Sequence, residues 1–297
     1  MQIKPLGPGF GAEIKGLSML EAASSQDAFE QVEAAFEEHS VLLFRDQEIT
    51  DAVQIAYSRG FGPLELGKVG STGAGGFLGT ITNIAPDGSL LPPDHRSWLV
   101  AAANQLWHTD SSFLEKPAKA SVLSARTVPN TGGQTEFCST RLAWERLSPS
   151  RQAEVQDLIV EHAYFHSRDK IAPDLMTAEQ RAAMPAVNWR MTWLNPKNNR
   201  RSLYIASHAG AIQGMSKDDA TALLDELRAE ASGEGRTYLH QWRDGDVIMW
   251  DNRACMHRGR PWPADTGRKM VRSTIKATLA DGLAHVTPEL PVAAAAE

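Results

Sequence analysis

The side chains best suited to chemistry begin with His108 and Asp110, which are separated by one residue in the run Trp107 to Asp110. If this run is a β-strand, its side chains alternate between two faces, so the histidine and the carboxylate point the same way. His257, which follows the apolar run 247–250, offers a third candidate ligand. Two imidazoles and one carboxylate on one side of a metal ion leave its other coordination positions open, as in non-haem Fe(II) enzymes that activate oxygen. A zinc hydrolase can use the same ligand types.

Two arginines near the end of the chain, Arg268 and Arg272, share a face if their segment is a strand. A guanidinium is always charged, and its planar fork of donors binds a carboxylate with two parallel hydrogen bonds. Two arginines in one pocket therefore indicate two anions. Thr135, which follows Gly132 and Gly133, supplies a hydroxyl. We hypothesise that Arg268 and Thr135 bind the distal carboxylate of a dicarboxylate cosubstrate, 2-oxoglutarate; the alternative for each arginine is a surface charge or an ion pair.

Helices and strands are predicted to alternate along the chain. The apolar spacing predicts a helix at 26–39, followed at once by a buried strand at 41–44. Thr50 is a candidate cap for a helix that ends at Gly60, and Ser148 and Ser216 are candidate caps for two more. Further strands are predicted at 121–128, 246–250 and 271–279, and an alternating pattern at 204–209 would carry His208.

Composition limits the class of protein. The 297 residues contain no repeat or compositional boundary, which predicts a single domain over 1–297 with an ordinary hydrophobic content of 42%. The net charge of −6, without a dense basic run, argues against a nucleic-acid partner. No signal-peptide pattern and no long apolar stretch is present, so we expect a cytoplasmic protein with no membrane partner. We also expect a mobile loop near 66–80, a possible lid at 171–193 and a frayed tail at 286–297.

Three stretches carry a resemblance to a known family: Asn104 to Phe113, Gly132 to Cys138 and Met249 to Arg253. With His108, Asp110, Thr135, His257 and Arg268 in the same order, the chain resembles the taurine dioxygenase-like Fe(II)/2-oxoglutarate-dependent dioxygenases. Within that family it is most similar to the 2,4-dichlorophenoxyacetate, or aryloxyalkanoate, dioxygenases. The resemblance covers roughly residues 9 to 279.

The resemblance implies a fold and a role for each matching residue. The implied fold is mixed α/β with an all-β core, a double-stranded β-helix (jelly roll, cupin-like) flanked by α-helices. His108, Asp110 and His257 would bind Fe(II), and Thr135, Arg268 and Asn104 would contact 2-oxoglutarate. For the substrate, the resemblance points to Arg272, Lys68 and His208; an exposed lysine and a core histidine are the alternatives for the last two.

The resemblance also implies an activity and its close alternatives. Such an enzyme would use O2 to hydroxylate the carbon next to the ether oxygen of an aryloxyalkanoate, releasing a phenol and glyoxylate together with succinate and CO2. The predicted substrate is thus a small anionic aromatic compound, the context is herbicide catabolism, and a homo-oligomer is expected. The same chemistry on a sulfonate, an alkyl sulfate or a phenoxypropionate is the first alternative. A zinc hydrolase and a binding module that has lost catalysis are the others.

Overall fold

The computed structural model describes residues 1–67 and 75–288. The strands before the midpoint are β1 (Gln2–Pro5), β2 (Ala12–Lys15), β3 (Val41–Phe44), β4 (Leu78–Thr82), β5 (Ala118–Thr127) and β6 (Thr135–Ser139). The later strands are β7 (Ile159–His162), β8 (Val187–Arg190), β9 (Thr192–Asn195), β10 (Arg200–Leu203), β11 (Ala209–Ile212), β12 (Thr237–His240), β13 (Val247–Asp251), β14 (Cys255–Gly259) and β15 (Lys269–Lys276). The helices are α1 (Met19–Ser24), α2 (Gln26–His39), α3 (Asp51–Gly60), α4 (Ser97–Ala103), α5 (Thr140–Arg146), α6 (Pro149–Val155), α7 (Tyr164–Asp169), α8 (Ala178–Ala183), α9 (Lys217–Ser232) and α10 (Leu283–Val286), with a 3₁₀ turn at Leu279–Asp281.

A seven-stranded sheet in the order β1-β2-β3-β13-β5-β15-β4 forms the largest part of the fold. Its pairs are antiparallel except for β2 with β3, which run parallel. The apolar residues of its central strands alternate between two core clusters: Met249 packs with the cluster on the helical side, whereas Ile248 and Trp250 pack with the cluster that contains Phe137. Both faces of the sheet are therefore buried, which explains why β3 and β13 are uninterrupted apolar runs.

A three-stranded sheet in the order β12-β6-β14 lies across the second of these clusters. Phe137 of β6 and Cys255 of β14 pack there against Leu123 of the large sheet. The two sheets thus enclose a shared apolar layer. The predicted site residues Thr135 and His257 lie on this smaller sheet, and Arg272 lies on the larger one.

Helices cover the other face of the large sheet, and their starts follow the sequence. The side chain of Ser25 caps α2 by accepting from Ala28 N, and Thr50 Oγ1 accepts from Val53 N at the start of α3. Val32 of α2 is fully buried in the helical-side cluster. The predicted bounds of α2, β3 and α3 are confirmed, as are the caps at the starts of α6 and α9.

Three predicted strands are wrong in part because the chain turns. At 107–110 only His108 pairs, in an isolated bridge to His257, and the chain then turns through Ser111 with φ +53°. The amide of Asp110 donates to Asn252 Oδ1 (3.0 Å), so a side chain replaces a strand partner. His208 likewise lies in a turn between β10 and β11. The strand predicted at 271–279 ends at 276 and is followed by the 3₁₀ turn.

The three segments predicted to be mobile have more structure than expected. Of the predicted lid at 171–193, the second half forms β8 and the start of β9, with Trp189, Met191 and Trp193 buried on alternate positions; the lid stays a prediction. The loop predicted at 66–80 ends in β4, and residues 68–74 lie outside the described residues. In the tail, Val286 is buried in α10, and residues 289–297 lie outside the described part. Within the described ranges, no helix combines the length and apolar character needed to cross a membrane.

Candidate active site

The backbone places the two histidines side by side. His108 N donates to His257 O (3.0 Å), and His257 N donates to His108 O (2.8 Å), which brings their ring centroids to 4.2 Å. His108 Nδ1 lies 2.8 Å from Leu106 O and can donate to it, which leaves Nε2 as the free lone pair. Burial lowers the pKa of both imidazoles, so they are held in the neutral form that binds metals.

Asp110 completes the cluster. One oxygen, Oδ2, accepts from Ser121 Oγ (2.7 Å) and lies 3.8 Å from His257 Nε2, while Oδ1 lies 4.0 Å from His108 Nε2. Arg272 Nη1 donates to Oδ1 (2.6 Å). Burial alone would raise the pKa of Asp110, but the charge of Arg272, with the hydrogen bond from Ser121, outweighs it and holds this pKa below its ordinary value.

These three side chains fit one metal ion. Their ligand atoms all lie within 4.8 Å of one another, close enough for one ion to bind all three. Two neutral imidazoles and one carboxylate form the facial donor set typical of Fe(II) sites with open positions. All three residues are buried, so the ion would be shielded from bulk water on the protein side.

A cavity opens beside the two histidines. Six of the nine predicted site residues line it: Asn104, His108, Thr135, His257, Arg268 and Arg272. Asn104 lies at the end of α4, and its carbonyl accepts from Gly259 N (2.9 Å), which ties the helix to β14 beside His257. The structure thus brings together residues that are as many as 168 positions apart, Asn104 and Arg272.

Arg268 is a buried residue in the lining of the cavity, and few hydrogen-bond acceptors of the described residues stabilise its positive charge. Its Nη2 donates to Gly133 O (3.3 Å), its guanidinium lies 4.9 Å from the ring centroid of Trp262, and its Nε has no hydrogen-bond partner among the described residues. Burial lowers the pKa of Arg268 to about 10, so the group stays charged at neutral pH. Thr135 Oγ1 accepts from Trp242 Nε1 (3.0 Å), which orients the hydroxyl. This region can bind a carboxylate.

Gly133 is required where it is. Its φ is +69°, and a Cβ added there would lie 3.1 Å from Arg268 Nε and 3.0 Å from Pro129 Cγ. Only glycine combines this backbone conformation with so close an approach to the guanidinium. The Gly132-Gly133 pair therefore serves the anion-binding region as well as the turn before β6.

His208 lies near the metal cluster but outside the lining of this cavity. Its ring centroid is 6.2 Å from that of His108, and it packs edge-on against Phe113 (4.7 Å) and in parallel with Tyr164 (6.1 Å). These rings form an aromatic wall, defined here as Phe113, Tyr164 and His208. Lys68 lies outside the described residues.

The family comparison decides the identity of this arrangement. The family described as taurine catabolism dioxygenase TauD, TfdA family matches residues 2–274. The chain belongs to the TauD/TfdA dioxygenase family. The predicted resemblance is confirmed, and with it the class of an Fe(II)/2-oxoglutarate-dependent dioxygenase.

Individual TauD/TfdA relatives match along most of the chain. The alpha-ketoglutarate-dependent 2,4-dichlorophenoxyacetate dioxygenase of Cupriavidus pinatubonensis is 38% identical, over 91% of this chain and 96% of the relative. The (S)-phenoxypropionate/alpha-ketoglutarate-dioxygenase of Sphingobium herbicidovorans is 33% identical, over 92% and 94%. The crystal structure of AAD-2 in complex with Mn(II) and N-oxalylglycine has a TM-score of 0.86 at 37% identity, covering 94% of this chain and 98% of that one. The mixed α/β fold is therefore confirmed.

Two residues at this TauD/TfdA site were missed by sequence reasoning. Asn252 Oδ1 accepts from the amide of Asp110 and from Trp250 Nε1 (3.0 Å each), and Asn252 Nδ2 donates to Ser121 Oγ (3.0 Å). Asn252 lies in one of the stretches that carry the family resemblance, which was the available signal. Arg168, a buried arginine on α7, had no sequence signal at all.

Proposed function

We propose that this protein oxidises the carbon next to the ether oxygen of a small aryloxyalkanoate, such as 2,4-dichlorophenoxyacetate. The proposal is carried by one observation: the cluster of His108, Asp110 and His257 adjoins both a cavity that contains the buried Arg268 and an aromatic wall. A dicarboxylate cosubstrate and an anionic aromatic substrate need these two environments. The activities named for the relatives agree with this choice.

Each residue has a proposed role. His108, Asp110 and His257 hold Fe(II), which with 2-oxoglutarate supplies the activation of O2 that releases CO2 and succinate and inserts one oxygen atom into the substrate C–H bond. Arg268 and Thr135 bind the distal carboxylate of 2-oxoglutarate, and Asn104 contacts the same molecule. Insertion of oxygen gives a hemiacetal, which breaks at the ether bond into a phenol and glyoxylate.

The substrate is positioned by residues around the metal cluster. We assign Arg272 to the anionic end of the substrate, because its guanidinium lies beside Asp110 at the metal cluster. His208 and the other rings of the aromatic wall would exclude water and hold the aryl group, which fixes one C–H bond toward the metal. We retain Lys68 as a proposed contact for the substrate carboxylate. We also infer that the two facing sheets are the walls of a double-stranded β-helix, and a cytoplasmic homo-oligomer stays a prediction.

A substrate panel tests the proposed function. Purified protein loaded with Fe(II) is supplied with 2-oxoglutarate, O2 and either 2,4-dichlorophenoxyacetate, a phenoxypropionate, an alkyl sulfate or taurine, and succinate and phenol are measured. We expect equal amounts of phenol and succinate with the phenoxyacetate. Turnover of the alkyl sulfate or taurine alone would overturn the aryloxyalkanoate assignment. Product formation without 2-oxoglutarate would favour a hydrolase instead.

A further inference from the structure

The guanidinium of Arg168 is buried, and the residues that the structure describes provide no carboxylate partner for it. It lies in the last turn of α7 and is 6% exposed. Its Nη1 donates to Ser167 Oγ (2.7 Å), its Nη2 donates to the Tyr164 hydroxyl (2.6 Å), and its Cζ stacks 3.7 Å from the centroid of the Tyr164 ring. Among the described residues no carboxylate lies within ion-pair distance, and Nε has no hydrogen-bond partner. A charge in this situation is costly unless something compensates it.

The other buried arginines show how this chain usually compensates a guanidinium. Arg253 pairs with Asp251 (2.9 Å) and Glu37 (3.1 Å), and Arg141 donates to the carbonyls of Glu37 (2.9 Å) and Glu38 (3.1 Å). In the described part of the chain, only Arg168 and Arg268 are buried arginines whose Nε lacks a partner. Arg268 is the residue proposed to bind a carboxylate of 2-oxoglutarate. Arg168 has the same unsatisfied chemistry at a second place.

Arg168 packs against the aromatic wall beside the metal cluster. The Tyr164 ring on which it stacks packs against Phe113 (4.7 Å) and lies parallel to His208 (6.1 Å), whose ring meets that of His108. The guanidinium therefore lies against rings that adjoin the metal cluster.

Arg272 alone does not supply the cation that an anionic substrate needs. Its Nη1 donates to Asp110 Oδ1 at 2.6 Å, so part of its charge is compensated within the metal cluster. Arg168 has no such partner. Burial is the main cause that lowers the pKa of Arg168, and the charge of Arg272 adds to it, so a bound anion would stabilise the charged guanidinium.

We propose that Arg168 binds the anionic group of the primary substrate and thereby selects small aromatic anions over neutral compounds of the same shape. Tyr164 positions the guanidinium by stacking and by its hydroxyl, and the aromatic wall receives the apolar part of the substrate. This inference rests on the proposed function, because it concerns the same active site, and it adds a residue that sequence reasoning did not identify.

The test is a binding titration that needs no turnover. Protein loaded with Mn(II) and N-oxalylglycine is titrated with phenoxyacetate and with its neutral analogue phenoxyacetamide, by calorimetry. We expect Arg168→Gln to raise the Kd of phenoxyacetate at least about tenfold and to leave the Kd of phenoxyacetamide within about twofold. Arg168→Lys, which keeps the charge and loses the fork, should fall between wild type and Arg168→Gln. Equal weakening of both ligands, or an unchanged Kd for phenoxyacetate, would overturn the proposal.

Two controls separate this role from a structural one. Arg181→Gln removes a guanidinium of α8 that ion-pairs with Asp169 of α7, the helix that carries Arg168. This guanidinium packs near Phe165, outside the aromatic wall. It should leave both Kd values as in wild type. The affinity for N-oxalylglycine, measured first with each variant, should also be unchanged, because Arg168 has no part in that region. A loss of this affinity in Arg168→Gln would indicate a general disruption and would contradict the assigned role.

The same titration distinguishes failure of the inference from failure of the proposed function. If the wild type turns over and binds phenoxyacetate but Arg168→Gln binds it equally well, only the inference fails. If the wild type binds an alkyl sulfate such as hexyl sulfate rather than phenoxyacetate, the aryloxyalkanoate function fails. The role of Arg168 is then decided by the Kd of hexyl sulfate, which Arg168→Gln should raise by the same factor.

Discussion

Replacement of Arg268 by lysine tests the assignment of the 2-oxoglutarate region most directly. The variant keeps a positive charge and removes the planar fork that binds a carboxylate with two parallel hydrogen bonds. Arg268 is 6% exposed, so solvent screens these bonds little. One lost charge-assisted bond in such a place costs roughly 1–3 kcal/mol, and each 1.4 kcal/mol is a factor of ten. We expect the KM for 2-oxoglutarate to rise by about 5- to 150-fold.

The assay is succinate formation at saturating primary substrate, with 2-oxoglutarate varied. Because Arg268 binds the cosubstrate in both ground and transition states, kcat should change much less than KM. Arg236→Lys is the matched control, since that arginine is partly exposed and pairs with Glu230 (2.7 Å); its KM should stay within about twofold of wild type. An Arg268→Lys enzyme whose KM for 2-oxoglutarate also stays within twofold would refute the assignment, and a rise confined to the KM of the primary substrate would reassign Arg268 to that ligand.

Three other changes test the metal cluster, the core and the response to pH. His108→Ala should abolish stoichiometric Fe(II) binding in equilibrium dialysis, and binding at wild-type affinity would contradict its role as a ligand. Arg253→Met leaves the buried carboxylates of Glu37 and Asp251 uncompensated and should lower the free energy of unfolding by about 3–5 kcal/mol; a loss below about 1 kcal/mol in urea titrations would show that this network contributes little. Burial lowers the pKa of His162 to about 3, so between about pH 6.5 and 3 the unfolded chain binds a proton that the folded chain does not. In this range the free energy of unfolding should decrease by about 1.4 kcal/mol for each unit by which the pH is lowered, because of this residue. His162→Phe should remove that part of the slope, and an identical slope in the variant would count against it.

The sequence predicts the elements of this fold best where local chemistry and burial agree. The bounds of α2 follow from the cap at Ser25 and the buried spacing of Val32 and Phe36, all of which are local. The strand prediction at 107–110 was wrong because its ordering comes from a distant side chain. Asn252 accepts from the Asp110 amide in place of a strand neighbour, and no property of residues 107–110 indicates this.

The sequence predicted the metal ligands of the candidate site but not its buried Arg168. The cluster of His108, Asp110 and His257 was available because metal ligands are defined by residue type and order. Arg168 could not be predicted from the sequence, because it is distinguished by the absence of a carboxylate and of an Nε partner among the described residues. Residue type does not distinguish a buried arginine without a carboxylate from Arg253, whose partner Glu37 lies 216 positions away in the sequence.

The three guanidiniums around the metal cluster can be ordered by their compensation, and this order explains how the site distinguishes its ligands. Arg272 is compensated by Asp110 and therefore orients a metal ligand before any anion arrives. Arg268 and Arg168 are each left with an unsatisfied Nε, so each gains most from an anion of its own. Because Arg268 is near Thr135 and Arg168 is on the aromatic wall, a dicarboxylate gains at the first position and an aromatic anion at the second. If the two ligands exchanged places, the aryl group of the substrate would lie beside the hydroxyl of Thr135, and the distal carboxylate of 2-oxoglutarate would lie among the aromatic rings. Both placements cost free energy.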